Sequence, residues 1–183
     1  MRPLEQPFFH IFTGGPGSGK TTLLEAIAAC GHPVMPEAGR SIIKAQTAIG
    51  GPALPWADKT LYSELMLAWE LRSFREAGAL EGNVYFDRGI PDVIGYLKVC
   101  GLPVPPHFWK AAGLFRYNPK VFIAPPWREI FGQDAERKQD WREAEATYRA
   151  MHAVYTELGY ELVPLPLAGV RERAEFVLER ACS

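Results

Sequence analysis

The sequence predicts a three-layer α/β sandwich in which helices cover both faces of a parallel, five-stranded sheet. Two observations carry that prediction. Five short apolar runs, Phe8 to Phe12, Val34-Met35, Val84 to Asp87, Lys120 to Ala124 and Glu161 to Val163, alternate with segments of helical periodicity. Between the first run and the first helical segment lies Gly14-Gly15-Pro16-Gly17-Ser18-Gly19-Lys20-Thr21, a complete GxxxxGK[ST] phosphate loop in the strand, loop, helix context that the motif requires.

Composition bounds the rest. A chain of 183 residues that is 48% apolar has enough core for one domain, 1–183. A net charge of −1 argues against a whole-chain field for nucleic acid or a membrane surface, so no nucleic-acid partner is expected. The three cysteines, Cys30, Cys100 and Cys182, are widely spaced and odd in number, which fits reduced thiols better than a disulfide frame or a metal site. With no signal peptide and no apolar stretch of membrane-spanning length, the expected location is cytoplasmic.

In chain order, the phosphate loop comes first. Its glycines let successive N–H groups turn inward, and the following helix start adds partial positive charge, so Gly14 through Thr21, with Thr22 next on the helix, form the expected nucleotide-binding set. Lys20 is expected to reach the outer phosphates, and the Thr21 hydroxyl to ligate Mg²⁺. After a helix to Ala29, Gly31-His32-Pro33 breaks the chain and the short strand Val34-Met35 delivers Glu37 and Arg40 at its carboxyl end. That is where open α/β sheets bind ligands. The alternative for Glu37 is a helix-start carboxylate favoured by the dipole.

A helix over Ser41 to Ile49 leads to the breaker-rich loop Gly50 to Trp56, where Trp56 either stacks on a ligand or plugs the core. From Lys59 to Glu76, with Asp58 as N-cap, Leu61, Leu65, Ala68, Trp69 and Leu71 recur at helical spacing, and Glu64, Arg72, Arg75 and Glu76 are read as a solvated face. Val84-Tyr85-Phe86-Asp87 has the form of a buried strand ending in a Mg²⁺-shell aspartate. Its alternative role is to cap the helix begun by Ile90-Pro91-Asp92. Arg88 follows where many motor ATPases place a water-activating glutamate, which weighs toward a transferase. Helices are expected near Asp92 to Val99 and His107 to Leu114, with Arg116 to Pro119 a turn and His107 a surface or capping residue.

After the strand Lys120 to Ala124, composition turns to dense mixed charge. Residues 127–140 are read as a lid carrying Arg128, Arg137 and Lys138 toward a transferring phosphoryl group, the alternative being an ordinary charged loop. An amphipathic helix from Trp141 stops at Gly159, and the last short strand leads through Pro164-Leu165-Pro166 to a closing helix, Val170 to Ala181.

The segments HIFTGGPGSGKTTLL, VMPEAGRSII, GGPALPWADK, VYFDRGIPDVIGYL, VFIAPPWREIF with DAERKQD, and LGYELVPLP resemble the AAA-domain family of small P-loop predicted ATPases. Its members are similar to the ribosylnicotinamide kinase domain and to thymidylate and deoxynucleoside kinases. The resemblance implies a P-loop kinase with ATP or GTP as donor, Mg²⁺ as cofactor and a small acceptor. It implies that Glu37 is the general base toward an acceptor hydroxyl, that Arg88 steadies acceptor or phosphoryl charge beside Asp87, and that Arg137 and Arg128 are lid arginines. Glu37, Arg40, Trp56 and Arg88 are then the expected acceptor pocket. A second reading is a nucleotide-binding switch without a small acceptor; the chain carries no [NT]KxD segment of the kind that reads guanine.

Overall fold

The computed structural model describes residues 2–131 and 140–181. Its main sheet has five parallel strands, β2 (Phe9–Gly14), β3 (Val34–Met35), β4 (Val84–Asp87), β6 (Lys120–Ala124) and β7 (Glu161–Pro164), in the order β3-β4-β2-β6-β7. The expected fold class is present, with every expected strand in it. Because all five run the same way, their carboxyl ends open on one edge. Register places Phe12 beside Asp87 and Gly14 beside Ala124, so the phosphate loop leaves the sheet between the ends of β4 and β6.

Helices cover both faces. On one face α1 (Lys20–Ala29) and α8 (Val170–Ala181) pack over Phe12, Tyr85 and Phe122. Phe12 stacks on Phe122 with ring centroids 5.2 Å apart, and burying such a side chain is worth about 1.5–3 kcal/mol. On the other face lie α3 (Lys59–Ala77), α4 (Ile90–Val99), α5 (Pro106–Leu114) and α7 (Trp141–Glu157) around Phe9, Ile11, Phe74 and Phe86. Two further helices, α2 (Ala38–Ile49) and the short α6 (Arg128–Phe131), flank the carboxyl edge. Among the described residues no helix is long and apolar enough to cross a membrane.

Four expectations are corrected. The first strand begins at Phe9 and runs to Gly14, leaving Phe8 outside it at 58% exposure. The buried stripe of α3 is Tyr62, Met66, Leu67, Glu70 and Phe74, while Leu61 and Ala68 are exposed. Leucine spacing misleads there because the face that meets the sheet end mixes apolar and polar side chains. Arg116 belongs not to a turn but to a small parallel pair, β1 (Leu4–Glu5) with β5 (Phe115–Arg116). Asp87 does not cap α4; the cap residue is Gly89, whose N–H donates to the Asp92 carboxylate at 3.0 Å. His107 is exposed and pairs with Glu64 at 3.0 Å.

Candidate functional site

The phosphate loop has the backbone its sequence requires. Gly19 precedes α1 in the left-handed region, φ 73°, where a side chain would be strained. Gly15 is held so close to α7 that an added Cβ would stand 2.4 Å from the Ala144 carbonyl oxygen. Lys20 is buried at the start of α1 and folds back on the loop: its Nζ donates to the Gly15 carbonyl at 2.8 Å and to Ser18 Oγ at 3.2 Å. Burial and the neighbouring Arg88 pull its ammonium down to about 8, against the opposing pull of Asp87, Glu37 and Asp92. Thr21 and Thr22 are exposed on the first turn of α1.

Beyond the loop, the ends of β3 and β4 bring the expected acid and arginine together. Glu37 starts α2 but its side chain makes no capping hydrogen bond. Instead one carboxylate oxygen accepts from Arg88 Nε at 3.3 Å and the other pairs with the exposed Arg40 at 3.1 Å. Burial alone would raise its carboxyl, but Arg88, Lys20 and Arg40 together hold it below the ordinary value. Arg88 takes a positive φ of 76°, unusual for a non-glycine residue, which turns its side chain back toward the phosphate loop. There its Nη1 donates to the Gly14 carbonyl at 3.0 Å and to Asp92 at 3.1 Å. Burial would lower the guanidinium, and Glu37, Asp92 and Asp87 more than reverse that.

Asp87 is 7% exposed, and its Oδ1 is sealed from solvent with no hydrogen-bond partner. Burial raises its carboxyl, opposed by Lys20 and Arg88. An orphaned carboxylate oxygen at a strand end fits a hard cation, which favours oxygen ligands. It shares with Thr21, Glu37, Arg40 and Ser41 a cleft of about 290 Å³ between α1 and α2.

Trp56 and Arg128 stand apart from this cluster. Trp56 is 68% exposed, so it is not a core plug, and it does not line the cleft. Arg128 rests over the Trp141 ring, 4.8 Å from its centroid. Arg137 and Lys138 lie outside the described residues.

Among the described residues, three buried charged side chains, Asp92, Glu70 and Arg173, are not among the site residues expected from the sequence. Asp92 gathers the site: it accepts from the Thr13 hydroxyl at 2.6 Å, the Tyr155 hydroxyl at 2.5 Å, the Gly89 N–H and Arg88. Its signal was an acid four residues after Arg88, one helical turn on. Glu70 lies one turn beyond Met66 and two beyond Tyr62 on the buried face of α3; burial, then Asp92 and Asp87, pushes its carboxyl well up. Arg173, one position before buried Ala174, packs in the first turn of α8 at 3% exposure.

Solved structures that share this fold include the following three. A deoxyadenosine kinase from M. mycoides with bound dATP aligns at 14% identity over 96% of this chain and 100% of its own, TM-score 0.59. Thymidylate kinase from Ehrlichia chaffeensis aligns at 15% identity over 97% and 99%, TM-score 0.66. A NadR protein in complex with NAD and AMP-PNP aligns at 19% identity over 96% of this chain but 49% of its own, TM-score 0.71. No curated protein matches the sequence. The family model described as AAA domain matches residues 9–173, most of the chain and all five strands of the main sheet, so the chain belongs to the AAA domain family.

Proposed function

We propose that this protein is a P-loop phosphotransferase that moves the γ-phosphoryl group of ATP to the hydroxyl of a small acceptor, with a nucleoside or nucleotide as the favoured class. The observation that carries this reading is the contact between Glu37 and Arg88 beside the phosphate loop. A loop, a lysine and a metal-shell acid suffice to hold a nucleotide; an ionised glutamate and an arginine at the next strand ends add what an acceptor needs.

Lys20 would leave the loop carbonyls for the outer phosphates, exchanging neutral acceptors for charged ones. Thr21 and Asp87 would hold Mg²⁺, which when bound neutralises charge on the β- and γ-phosphates. Glu37 then has one task. Its lowered carboxyl is ionised at neutral pH, and when the acceptor displaces the exposed Arg40, the freed oxygen orients the acceptor hydroxyl and takes its proton. The acceptor oxygen bonds to the γ-phosphorus as the bond to the β–γ bridging oxygen breaks, and ADP departs with that electron pair. Arg88 stays fixed by Gly14 and Asp92 and meets the charge of the group in transfer. The kinases among the structures that share the fold support the class without naming the acceptor.

The test is turnover of γ-labelled ATP, and of GTP in parallel, against a panel of nucleosides, nucleotides and small hydroxy acids. Acceptor-stimulated turnover, with label in a phosphoester, is the expected result. Turnover indifferent to every acceptor would overturn the proposal and favour a nucleotide-dependent switch.

A further inference from the structure

We infer that Arg173 is a donor-side cation that binds the phosphates of the nucleotide. It is 3% exposed, held at the first turn of α8 by its own N–H to the Gly169 carbonyl at 3.0 Å. Its Nη1 donates to the Ser18 carbonyl at 3.1 Å, inside the phosphate loop. An added Cβ on Gly19 would stand 2.8 Å from that same Nη1 and 3.1 Å from Ile130. Trp127 closes the other side, 5.9 Å from ring centroid to guanidinium. The guanidinium therefore sits in a nook of Ser18, Gly19, Trp127 and Ile130, against the turn whose N–H groups begin α1.

What the nook lacks is an anion. No carboxylate lies within ion-pair distance of Arg173 among the described residues, and its Nε is sealed with no hydrogen-bond partner. Burying a charge without compensation is costly, and proteins retain such groups where a ligand supplies the opposite charge. A side chain needed only to hold the Ser18 carbonyl requires one neutral donor. A full guanidinium beside a phosphate loop is matched by an anionic nucleotide. The inference rests on the phosphate loop binding a nucleoside triphosphate, and on nothing about the acceptor.

The test is equilibrium titration of the full chain with Mg²⁺ and ATP, ADP or adenosine, no acceptor present. Two variants separate the roles: Arg173→Gln keeps a donor for the Ser18 carbonyl and removes the charge, and Arg173→Lys keeps the charge. Arg173→Gln is expected to weaken ATP about tenfold, ADP by less and adenosine not at all, at unchanged melting temperature, with Arg173→Lys close to wild type. ATP affinity within about twofold of wild type in Arg173→Gln, or an equal loss for adenosine, overturns the inference. Should Arg173→Gln fail to fold, the wild-type Arg173 Nε–H resonance decides: it shifts on adding ATP and not adenosine, or the inference is wrong. Wild-type protein that binds no ATP would instead bring down the nucleotide reading itself.

Discussion

Two arginines flank the phosphate loop, Arg88 half-buried and Arg173 buried, and their surroundings are opposite. Arg88 is gripped by Glu37, Asp92 and the Gly14 carbonyl, and its carboxylate neighbours favour its charge. Arg173 touches the same loop through the Ser18 carbonyl, but burial acts on it with no carboxylate among the described residues in opposition. A cation already paired gains little from a further anion and serves best as a fixed point. An unpaired one gains most when an anion arrives. On the proposed reading, the difference divides the surroundings of the phosphate loop into an acceptor half, preorganised by ion pairs, and a donor half, in which Lys20 and Arg173 would meet phosphate.

The largest effect that tests this division is expected at Arg88. Arg88→Met should lower kcat about 10²- to 10³-fold, the scale of removing one transition-state donor, while the ATP dissociation constant stays near wild type. Equal loss of ATP affinity would erase the distinction between the halves. Next comes Asp92, which positions Arg88 without facing substrate. Asp92→Asn should destabilise the fold by about 1–3 kcal/mol, because the Thr13, Tyr155 and Arg88 donors lose a charged acceptor. It should also lower kcat with ATP affinity unchanged; thermal melts and steady-state rates check both.

The smallest effect concerns Lys20, whose ammonium is pulled down to about 8 in the folded chain from 10.5 in an exposed lysine. Bound phosphates favour the charged form, so nucleotide binding should take up protons, little at pH 7 and approaching one as pH rises past about 8. The same depression destabilises the folded chain at neutral pH. That penalty is fully present below about 8 and is relieved as pH rises toward the unfolded value, since there the unfolded state binds the extra proton. Calorimetry in buffers of different ionisation enthalpy reads the uptake, and Lys20→Met should abolish it.

Much of this was legible in the sequence for a physical reason. The phosphate loop, Glu37, Asp87 and Arg88 all sit at strand ends, and strands announce themselves as short apolar runs with a fixed exit. The sheet was readable for the same cause. Asp92, Glu70 and Arg173 lie inside helices, where a polar residue reads by default as solvated, and only the packing of α3, α4 and α8 reveals them as buried. The α3 stripe was misplaced because its buried face carries Ser63, Glu70 and Ser73 among the apolar residues. Trp56 drew notice as a large aromatic in a loop, yet a loop aromatic carries no positional constraint, and it stands exposed.

The claim that Glu37 activates an acceptor hydroxyl is tested most directly by following the γ-label in Glu37→Gln beside Lys20→Ala, with an acceptor from the panel that supports turnover. Glu37→Gln should bind ATP as wild type does and lose label transfer by about 10²- to 10⁴-fold, the contribution of a positioned general base. Transfer at the wild-type rate in Glu37→Gln, with Lys20→Ala inactive, would contradict the account.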